Sequence, residues 1–200
     1  MSITLLRPQD YRSMPWKNGM GVTIEIAVFP EGAALDAFDW RISMASVVED
    51  GAFSCFTGID RTLSILDGAG LELAVAGEAS VQLTRTTKPH RFPADSPTHA
   101  RLLDGPVTDF NVMTRRGACD HHVEVLETGH HSLMMAQADT ILAYCFRGEA
   151  TIGWNGTEDA LAMGETARIE AETNGPLSLT VSDGGKLFVT CLSISCFRLS

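Results

Sequence analysis

No apolar run in this sequence is long enough to cross a bilayer. A membrane-spanning helix needs about 20 mostly apolar residues, and polar or charged residues interrupt the apolar stretches here well before that length. The first residues also lack the basic stretch followed by an apolar stretch that marks a secretory signal peptide. We therefore expect a cytoplasmic protein that does not bind membranes.

Basic residues are scarce and scattered. The chain has 15 Lys and Arg against 25 Asp and Glu, which gives a formal net charge of −10. Nucleic-acid binding depends on a concentrated cationic surface that displaces counterions from phosphates. We therefore expect no nucleic-acid partner.

Cysteine pairs are missing as well. The 5 cysteines are odd in number and include no Cys-x-x-Cys pair, so we expect no disulfide and a reducing compartment. Cys145 and Cys191 lie in apolar runs and are expected to be small core residues. Cys55 lies between two phenylalanines, a context that predicts a buried thiol rather than an activated one.

The common catalytic and cofactor motifs are absent. Ser54 does not lie in a Gly-x-Ser-x-Gly elbow, and Gly19-Met20-Gly21 lacks the third glycine of a dinucleotide fingerprint. Two adjacent histidine pairs, His121-His122 and His130-His131, could bind zinc or nickel. Adjacent strand residues point to opposite faces, however, so at most alternate members of the pairs converge. We expect surface histidines, no metal and no cofactor.

Short runs of strand-forming residues, separated by Gly, Pro, Asn and Asp, make up most of the chain. This pattern predicts an all-β sandwich or barrel. Trp154-Asn155-Gly156-Thr157 predicts a hairpin, because Asn-Gly tolerates positive φ. Asp183-Gly184-Gly185-Lys186 predicts a second tight turn.

A weak internal repeat predicts two β-lobes within one compact unit. Residues 97–115 align with residues 176–194 at a constant offset, as expected for two similar modules. We expect a first lobe over roughly 1–120, with most of the charged strand positions, and a second lobe over 121–200. Since the second lobe is almost purely apolar in its strands, the first is expected to carry the site and the second to serve as scaffold.

Three predicted strands carry polar side chains in mid-strand, on alternating positions that share one face. These pairs are Thr23 with Glu25, Arg41 with Ser43, and Asp109 with Asn111. Such a face either is solvated, with weak surface ion pairs, or lines a barrel pocket. The planar fork of arginine suits a carboxylate, so Arg41 and Arg61 in a pocket would indicate an anionic ligand such as an amino-acid derivative.

The loop before Arg61 is rich in glycine and phenylalanine. Phe53 and Phe56 either wall a site, with Ser54 and Thr57 supplying hydrogen bonds, or plug one end of a barrel. These two interpretations are compatible, because small pockets lie at barrel ends.

Four motifs in order resemble the HutD/Ves family. They are Trp16-Lys17-Asn18-Gly19-x-Gly21-x-Thr23-x-Glu25-Ile26, Phe38-Asp39-Trp40-Arg41-x-Ser43-x-Ala45, Gly51-x-Phe53-Ser54-x-Phe56-x-Gly58-x-Asp60-Arg61, and Asp104-Gly105-Pro106 with Asp109-Phe110-Asn111-Val112-Met113-x-Arg115. The resemblance implies a cupin-like bicupin, in which two small β-barrels pack in one compact unit.

Metal-binding cupins use a His-x-His motif followed by a glutamate. Here Gly68-x-Gly70 and Gly164-Glu165 lie where such motifs would start, but no histidine follows at ligand spacing. His90 and His99 do not take their place. The resemblance and the residues therefore agree on a metal-free pocket.

The resemblance also implies an accessory or regulatory role in histidine utilisation, through binding of a formylglutamate- or formiminoglutamate-like anion. Arg41 and Arg61 are expected to clamp carboxylates, with Glu25 and Asp109 orienting them, while Asn18, Ser43 and Asn111 match an amide. The full set of expected binding residues is Trp16, Lys17, Asn18, Glu25, Arg41, Ser43, Phe53, Arg61, Asp109 and Asn111.

Two alternatives stay open. In the first, the same pocket belongs to a hydrolase or isomerase of such a compound, with Glu25 or Asp109 as general base. In the second, the chain is a protein-interaction module whose apolar second lobe contacts a partner, and a homodimer is compatible with its half-exposed sheets.

Overall fold

The computed structural model describes residues 2–16, 21–134, 138–170 and 175–195, and nearly all of them lie in β-strands or in the turns between strands. Within these ranges the helical content is a single 3₁₀ turn at Pro8–Asp10. The all-β prediction is therefore confirmed. No helix among the described residues has the length and apolarity to cross a membrane.

Residues 11–119 form one unit, built from a six-stranded and a four-stranded antiparallel sheet. The six-stranded sheet contains, in spatial order, β2 (Arg12–Pro15), β3 (Val22–Phe29), β4 (Trp40–Val47), β11 (Val107–Arg115), β6 (Ile59–Asp67) and β9 (His90–Pro93). The four-stranded sheet contains β5 (Gly51–Ala52), β10 (Thr98–Leu102), β7 (Leu71–Val75) and β8 (Val81–Leu83).

Residues 2–10 and 120–195 form the other unit, whose sheet has seven strands. Six of them follow the order β1 (Ser2–Leu6), β16 (Thr166–Glu170), β13 (Thr140–Arg147), β17 (Pro176–Ile194), β14 (Ala150–Trp154) and β15 (Thr157–Leu161), and β12 (Cys119–Met134) pairs with β17. Its large core cluster is apolar and includes Trp154, Leu177 and Leu187. This composition matches the apolar strands of the sequence.

The N-terminal strand belongs to the unit of residues 120–195 rather than to the first lobe in which the sequence had placed it. Ser2 pairs with Glu170 and Leu6 with Thr166 along the edge of the seven-stranded sheet. An edge strand can pair with any free neighbour of suitable register, so position in sequence did not indicate its partner.

One of the two predicted turns is confirmed and the other is wrong. Trp154 pairs with Thr157 across the first, and Asn155 and Gly156 have φ of 48° and 82°. At the second, the chain does not reverse: β17 runs through Asp183 and pairs with β14 before it and with β13 after it. Gly184, with φ of 66°, lies where the backbone of β17 is locally irregular. Beside it, the backbone N–H of Ser182 donates to the carbonyl oxygen of Glu149 at 2.9 Å.

The described cysteines are free thiols. Cys145 is buried in the apolar cluster and Cys191 packs against it, as expected from their sequence context. Burial raises the pKa of each of these thiols to about 11. Cys55, by contrast, is exposed, so the prediction of a buried thiol there is wrong. The loop turns its side chain outward, where its Sγ lies 3.6 Å from the carbonyl oxygen of Asp95.

An arginine-centred network ties three segments of residues 11–119 together. Arg116 donates to Asp60 Oδ1 and to Asp95 Oδ1, each at 2.6 Å, and to the carbonyl of Ile59 at 3.0 Å. These bonds from Arg116, together with one from Gly58 N–H, lower the pKa of Asp95 from 3.8 to about 2. The network fixes the chain that leads into β6.

Replacing Arg116 with Gln is expected to destabilise the protein at neutral pH and to have less effect in acid. Since the folded-state pKa of Asp95 lies below its ordinary value of 3.8, its contribution is complete above that value and is lost as the pH falls towards about 2. Urea unfolding of both proteins from pH 7 down to the acid limit of folding tests this. Arg85→Gln, which removes an exposed pair with Asp67 at 3.9 Å, is the control. An equal loss at every pH would contradict the expectation.

Candidate binding site

The inward-facing residues of β11 place a polar layer between two apolar ones. Alternate side chains on this strand are Val107, Asp109, Asn111 and Met113. Val107 belongs to an apolar cluster formed by both sheets of residues 11–119, and Met113 belongs to a second cluster. Asp109 and Asn111 lie between the two along the strand.

Apolar side chains enclose this layer on both sides. The first cluster consists of Val47, Leu63, Ile65, Leu71, Leu73, Val75, Leu83, Phe92, Ala100 and Val107, with Trp16 and Phe53 packed against it. The second consists of Phe38, Ile59, Ala94 and Met113, with Val28 and Phe56 packed against it. Water is scarce in such surroundings, which strengthens electrostatic interactions and raises the cost of an unpaired charge.

Strand register brings the remaining polar side chains to the same face. Met113 is paired with Arg41 on one side and with Arg61 on the other, and Ser43 is paired with both Asn111 and Glu25. The two arginines therefore flank β11 at the same level of the sheet.

The burial of the polar mid-strand side chains shows whether their face is solvated or lies inside the protein. The exposed fractions are 7% for Glu25, 4% for Arg41, 2% for Ser43, 7% for Arg61, 0% for Asp109 and 2% for Asn111. Of the described residues, the buried charged side chains all lie within residues 11–119. The polar face is thus the interior of that unit.

Glu25 orients Arg41. Arg41 Nε donates to Glu25 Oε2 at 2.6 Å, an ion pair expected from the sequence. This bond from Nε occupies one edge of the guanidinium. The planar fork of N–H donors on a buried guanidinium suits a planar anion such as a carboxylate.

Asn111 orients Arg61, which differs from the expectation that Asp109 does so. Asn111 Oδ1 accepts from both Nε and Nη2 of Arg61, and Asn111 Nδ2 donates to Asp109 Oδ1 at 2.7 Å. Asp109 Oδ2 lies 3.9 Å from Arg61 Nη2, too far for a hydrogen bond. The amide therefore relays between the two charges and is not free to match a ligand amide in this arrangement.

Two phenylalanine rings cover Arg61. Its guanidinium carbon lies 4.3 Å from the ring centroid of Phe53 and 5.8 Å from that of Phe92. The contact supports Phe53 as a wall of the site, whereas Phe56 packs in the second apolar cluster, 6.3 Å from Phe38 between ring centroids. Of the two interpretations of this loop, the wall of a site thus applies to Phe53 and the plug of a barrel end applies to Phe56. Ser54 and Thr57, which were expected to supply hydrogen bonds, are exposed.

Phe92 was missed from the sequence, and His90 was considered there only as a metal ligand. Phe92 is paired with Arg61 and His90 with Leu63 on β9, so both face the interior. The alternation of His90, Arg91 and Phe92 was an available signal, but a four-residue strand is short for such a pattern. His90 Nε2 is buried without a hydrogen-bond partner among the described residues.

The charges in the polar layer perturb one another. Burial lowers the pKa of Arg61 to about 10, with Asp109 opposing that change and the positive charge of Arg41 adding to it. Burial also raises the pKa of Asp109, and the neighbouring Arg61 and Asn111 only partly offset this effect. The positive charge of Arg41 thus acts on Arg61, and an anion between the two guanidinium groups would relieve their repulsion.

Trp16 lies beside this layer, at the end near Thr23. Its Nε1 donates to Thr23 Oγ1 at 2.8 Å, and its ring packs against the first apolar cluster. A Cβ at Gly21 would lie 2.5 Å from the carbonyl oxygen of Ser46 and 2.9 Å from that ring, which explains the glycine in the motif. Lys17 and Asn18, also expected in the site, lie outside the described residues.

A groove of about 570 Å³ lies beside Phe53. Its lining is mainly apolar and consists of Ala52, Phe53, Cys55, Ala74, Val75, Ala76, Asp95, Pro97, Thr98 and His99. Phe53 is therefore shared by this groove and by the wall of the polar layer.

The candidate metal ligands are not grouped. No cluster of three or more His, Cys, Asp or Glu side chains suited to a metal occurs among the described residues. His121 is buried, whereas His130 Nδ1 lies 2.8 Å from Thr180 Oγ1 and His131 Nε2 lies 2.8 Å from the carbonyl oxygen of Glu127. Glu165 accepts from the backbone N–H of Ala162 at 3.0 Å, which indicates a local structural role.

The sequence matches the HutD family profile over residues 8–189, which is most of the chain. This chain belongs to the HutD family. The resemblance noted from its four motifs is therefore confirmed.

Relatives and solved structures agree with this assignment. A protein from Pseudomonas putida, described as an uncharacterized 21.2 kDa protein in the hutC 3′ region, is 42% identical over 111 residues, which are 56% of this chain and 57% of that protein. The match thus spans little more than half the length of this curated relative. Proteins named Ves are also similar, for example that of Citrobacter koseri at 39% identity over 59% of this chain and 62% of that protein.

Two solved structures superpose on nearly the whole chain. A conserved protein of unknown function from Pseudomonas aeruginosa has a TM-score of 0.89 at 33% identity and covers 96% of this chain and 100% of its own. HutD from Pseudomonas fluorescens (formate condition) has a TM-score of 0.83 at 30% identity, with 96% and 99% coverage. More distant neighbours share only the fold, which is cupin-like as expected.

Proposed function

We propose that this HutD-family protein binds a small anionic amino-acid derivative, of the formylglutamate or formiminoglutamate type, between Arg41 and Arg61. The observation that carries the proposal is the pair of buried guanidinium groups of Arg41 and Arg61, which flank β11 at the same level of the sheet.

The chemistry of the layer suits such a ligand. A carboxylate matches the planar N–H forks of Arg41 and Arg61, and Ser43, beside them, offers a hydroxyl to a formyl or formimino group. Phe53, which lines the outer groove and covers Arg61, is the side chain that would move to admit the ligand. The family name and the hutC-region name of the P. putida relative point to histidine utilisation as the setting, and the accessory or regulatory role is part of this proposal.

A thermal-shift screen tests the proposal. Histidine, urocanate, formiminoglutamate and N-formyl-L-glutamate are compared, each with and without EDTA. A ligand at 100 times its dissociation constant adds about 2.7 kcal/mol of stability, which is about 5–10 °C in melting temperature for a chain of this length. We expect a saturable rise with a formyl or formimino acid that EDTA does not change.

The hit is then incubated with the protein, and the products are analysed. Saturable stabilisation without turnover supports a binding protein, whereas turnover would establish the enzyme alternative in the same pocket. The absence of a shift with all four compounds would contradict the proposed ligand class and favour the protein-interaction alternative.

A further inference from the structure

We propose that the site takes up one proton together with its anion, and that Asp109 holds this proton at Oδ2 and donates it in a hydrogen bond to the ligand. This inference rests on the proposed function, because it concerns how the same polar layer accommodates an anion. It assigns Asp109 a direct role in binding rather than the orientation of Arg61.

The geometry around Asp109 is incomplete. The residue is fully buried, and its Oδ1 accepts from Asn111 at 2.7 Å. Its Oδ2 has no hydrogen-bond partner among the described residues. A buried oxygen without a partner is costly, so an incoming group that bonds to it gains more than an ordinary contact.

A hydrogen bond between Asp109 Oδ2 and a ligand carboxylate requires a proton at this position. An ionised carboxylate only accepts hydrogen bonds, and so does the carboxylate of an anionic ligand. Two acceptors cannot bond to each other. Protonation of Asp109 by a proton from the solvent turns Oδ2 into a donor, and an O–H···O⁻ bond between a carboxylic acid and a carboxylate is among the stronger hydrogen bonds in proteins.

The net charge of the polar layer also favours a proton on Asp109. The layer holds two cations, Arg41 and Arg61, and two anions, Glu25 and Asp109, so it is neutral when all four are ionised. One ligand carboxylate that enters this layer leaves one uncompensated negative charge there, which is expensive in apolar surroundings. One proton on Asp109 restores neutrality.

The other groups that face Asp109 do not serve as well. Glu25 is already paired with Arg41 at 2.6 Å. The strands of the four-stranded sheet contribute apolar side chains such as Leu73 and Ala100. His90 on β9 is the competing proton acceptor, because its Nε2 is also buried without a partner among the described residues. Burial already raises the pKa of Asp109, which places it closer to protonation.

Isothermal titration calorimetry of the full-length protein with N-formyl-L-glutamate measures the proton directly. Titrations at one pH in buffers of different ionisation enthalpy give the number of protons exchanged. We expect uptake of about one proton per ligand and an affinity that falls about tenfold per pH unit over the alkaline part of pH 6–9. The ligand carboxylates are ionised throughout this range and do not contribute.

Two variants assign the proton. Asp109→Asn should bind without proton uptake and with pH-independent affinity, whereas His90→Gln should keep the uptake. Binding by wild type without uptake and without pH dependence would overturn the inference, as would uptake that survives in Asp109→Asn and disappears in His90→Gln. If Asp109→Asn does not fold, the wild-type proton count together with His90→Gln decides the matter. No binding at any pH would instead contradict the proposed function.

Discussion

Replacing Arg41 with Met is expected to abolish anion binding and to destabilise the protein by about 3–5 kcal/mol. Arg41 is 4% exposed and is bonded to Glu25 at 2.6 Å, so the change leaves a carboxylate buried without its cation. Truncation of one partner of a buried charge pair at an interface costs about 2–5 kcal/mol in affinity, which is at least about 30-fold. Thermal shift with N-formyl-L-glutamate and urea unfolding measure the two effects.

A double variant separates the two roles of Arg41. When Glu25→Leu is combined with Arg41→Met, no uncompensated charge remains, and much of the lost stability should return because buried ion pairs contribute little beyond their apolar replacements. Binding should not return, since the guanidinium is still missing. Arg101→Met, which breaks an exposed pair with Glu72, should change stability little, because exposed ion pairs contribute little. An Arg41→Met protein that keeps both its stability and its affinity would refute the binding-site assignment.

Gly70→Ala is expected to be the most damaging single-methyl addition in the turn between β6 and β7. Gly70 has φ of +115°, a conformation that other residues rarely adopt, and a Cβ there would overlap the carbonyl oxygen of Leu83. Strained backbone alone costs about 1–3 kcal/mol, and overpacking adds about 1–3 kcal/mol. Chemical denaturation of the purified variant gives the sum.

Gly77→Ala is the matched control for this change. Gly77 also has positive φ, at +88°, but no atom lies within 4 Å of the position of its missing Cβ. It should therefore show the backbone strain without the overlap. Equal losses in the two variants would mean that the contact with Leu83 relaxes at no cost and that the glycine is needed for φ alone. This outcome would also change how the Gly68-x-Gly70 motif is explained, since its glycines form a turn here.

Local patterns in the sequence were enough to predict several features correctly. Alternation of apolar and polar residues located the main strands, and Asn155-Gly156 located a hairpin, because both depend only on neighbouring residues. The same alternation placed Arg41 with Ser43 and Asp109 with Asn111 on shared faces. Four motifs then indicated the family.

Other features depended on contacts between distant segments. The bulge between Glu25 and Ala27 shifts the register so that Val28, rather than Ala27, pairs with Arg41, and alternation alone does not reveal such a shift. The exposure of Cys55 and the pairing of β1 with β16 also follow from where the chain meets other strands. Phe92 reaches Arg61 only through the register of β9.

The sequence by itself determined the all-β class, the main strands and the presence of charged residues in mid-strand, since each of these is encoded in residues close to one another along the chain. Only the tertiary structure decided that the charged face is the interior and that Asn111 links Arg61 to Asp109. The reason is physical. Whether a polar face meets water or the inside of a barrel depends on which second sheet covers it, and that covering comes from strands far away in the sequence.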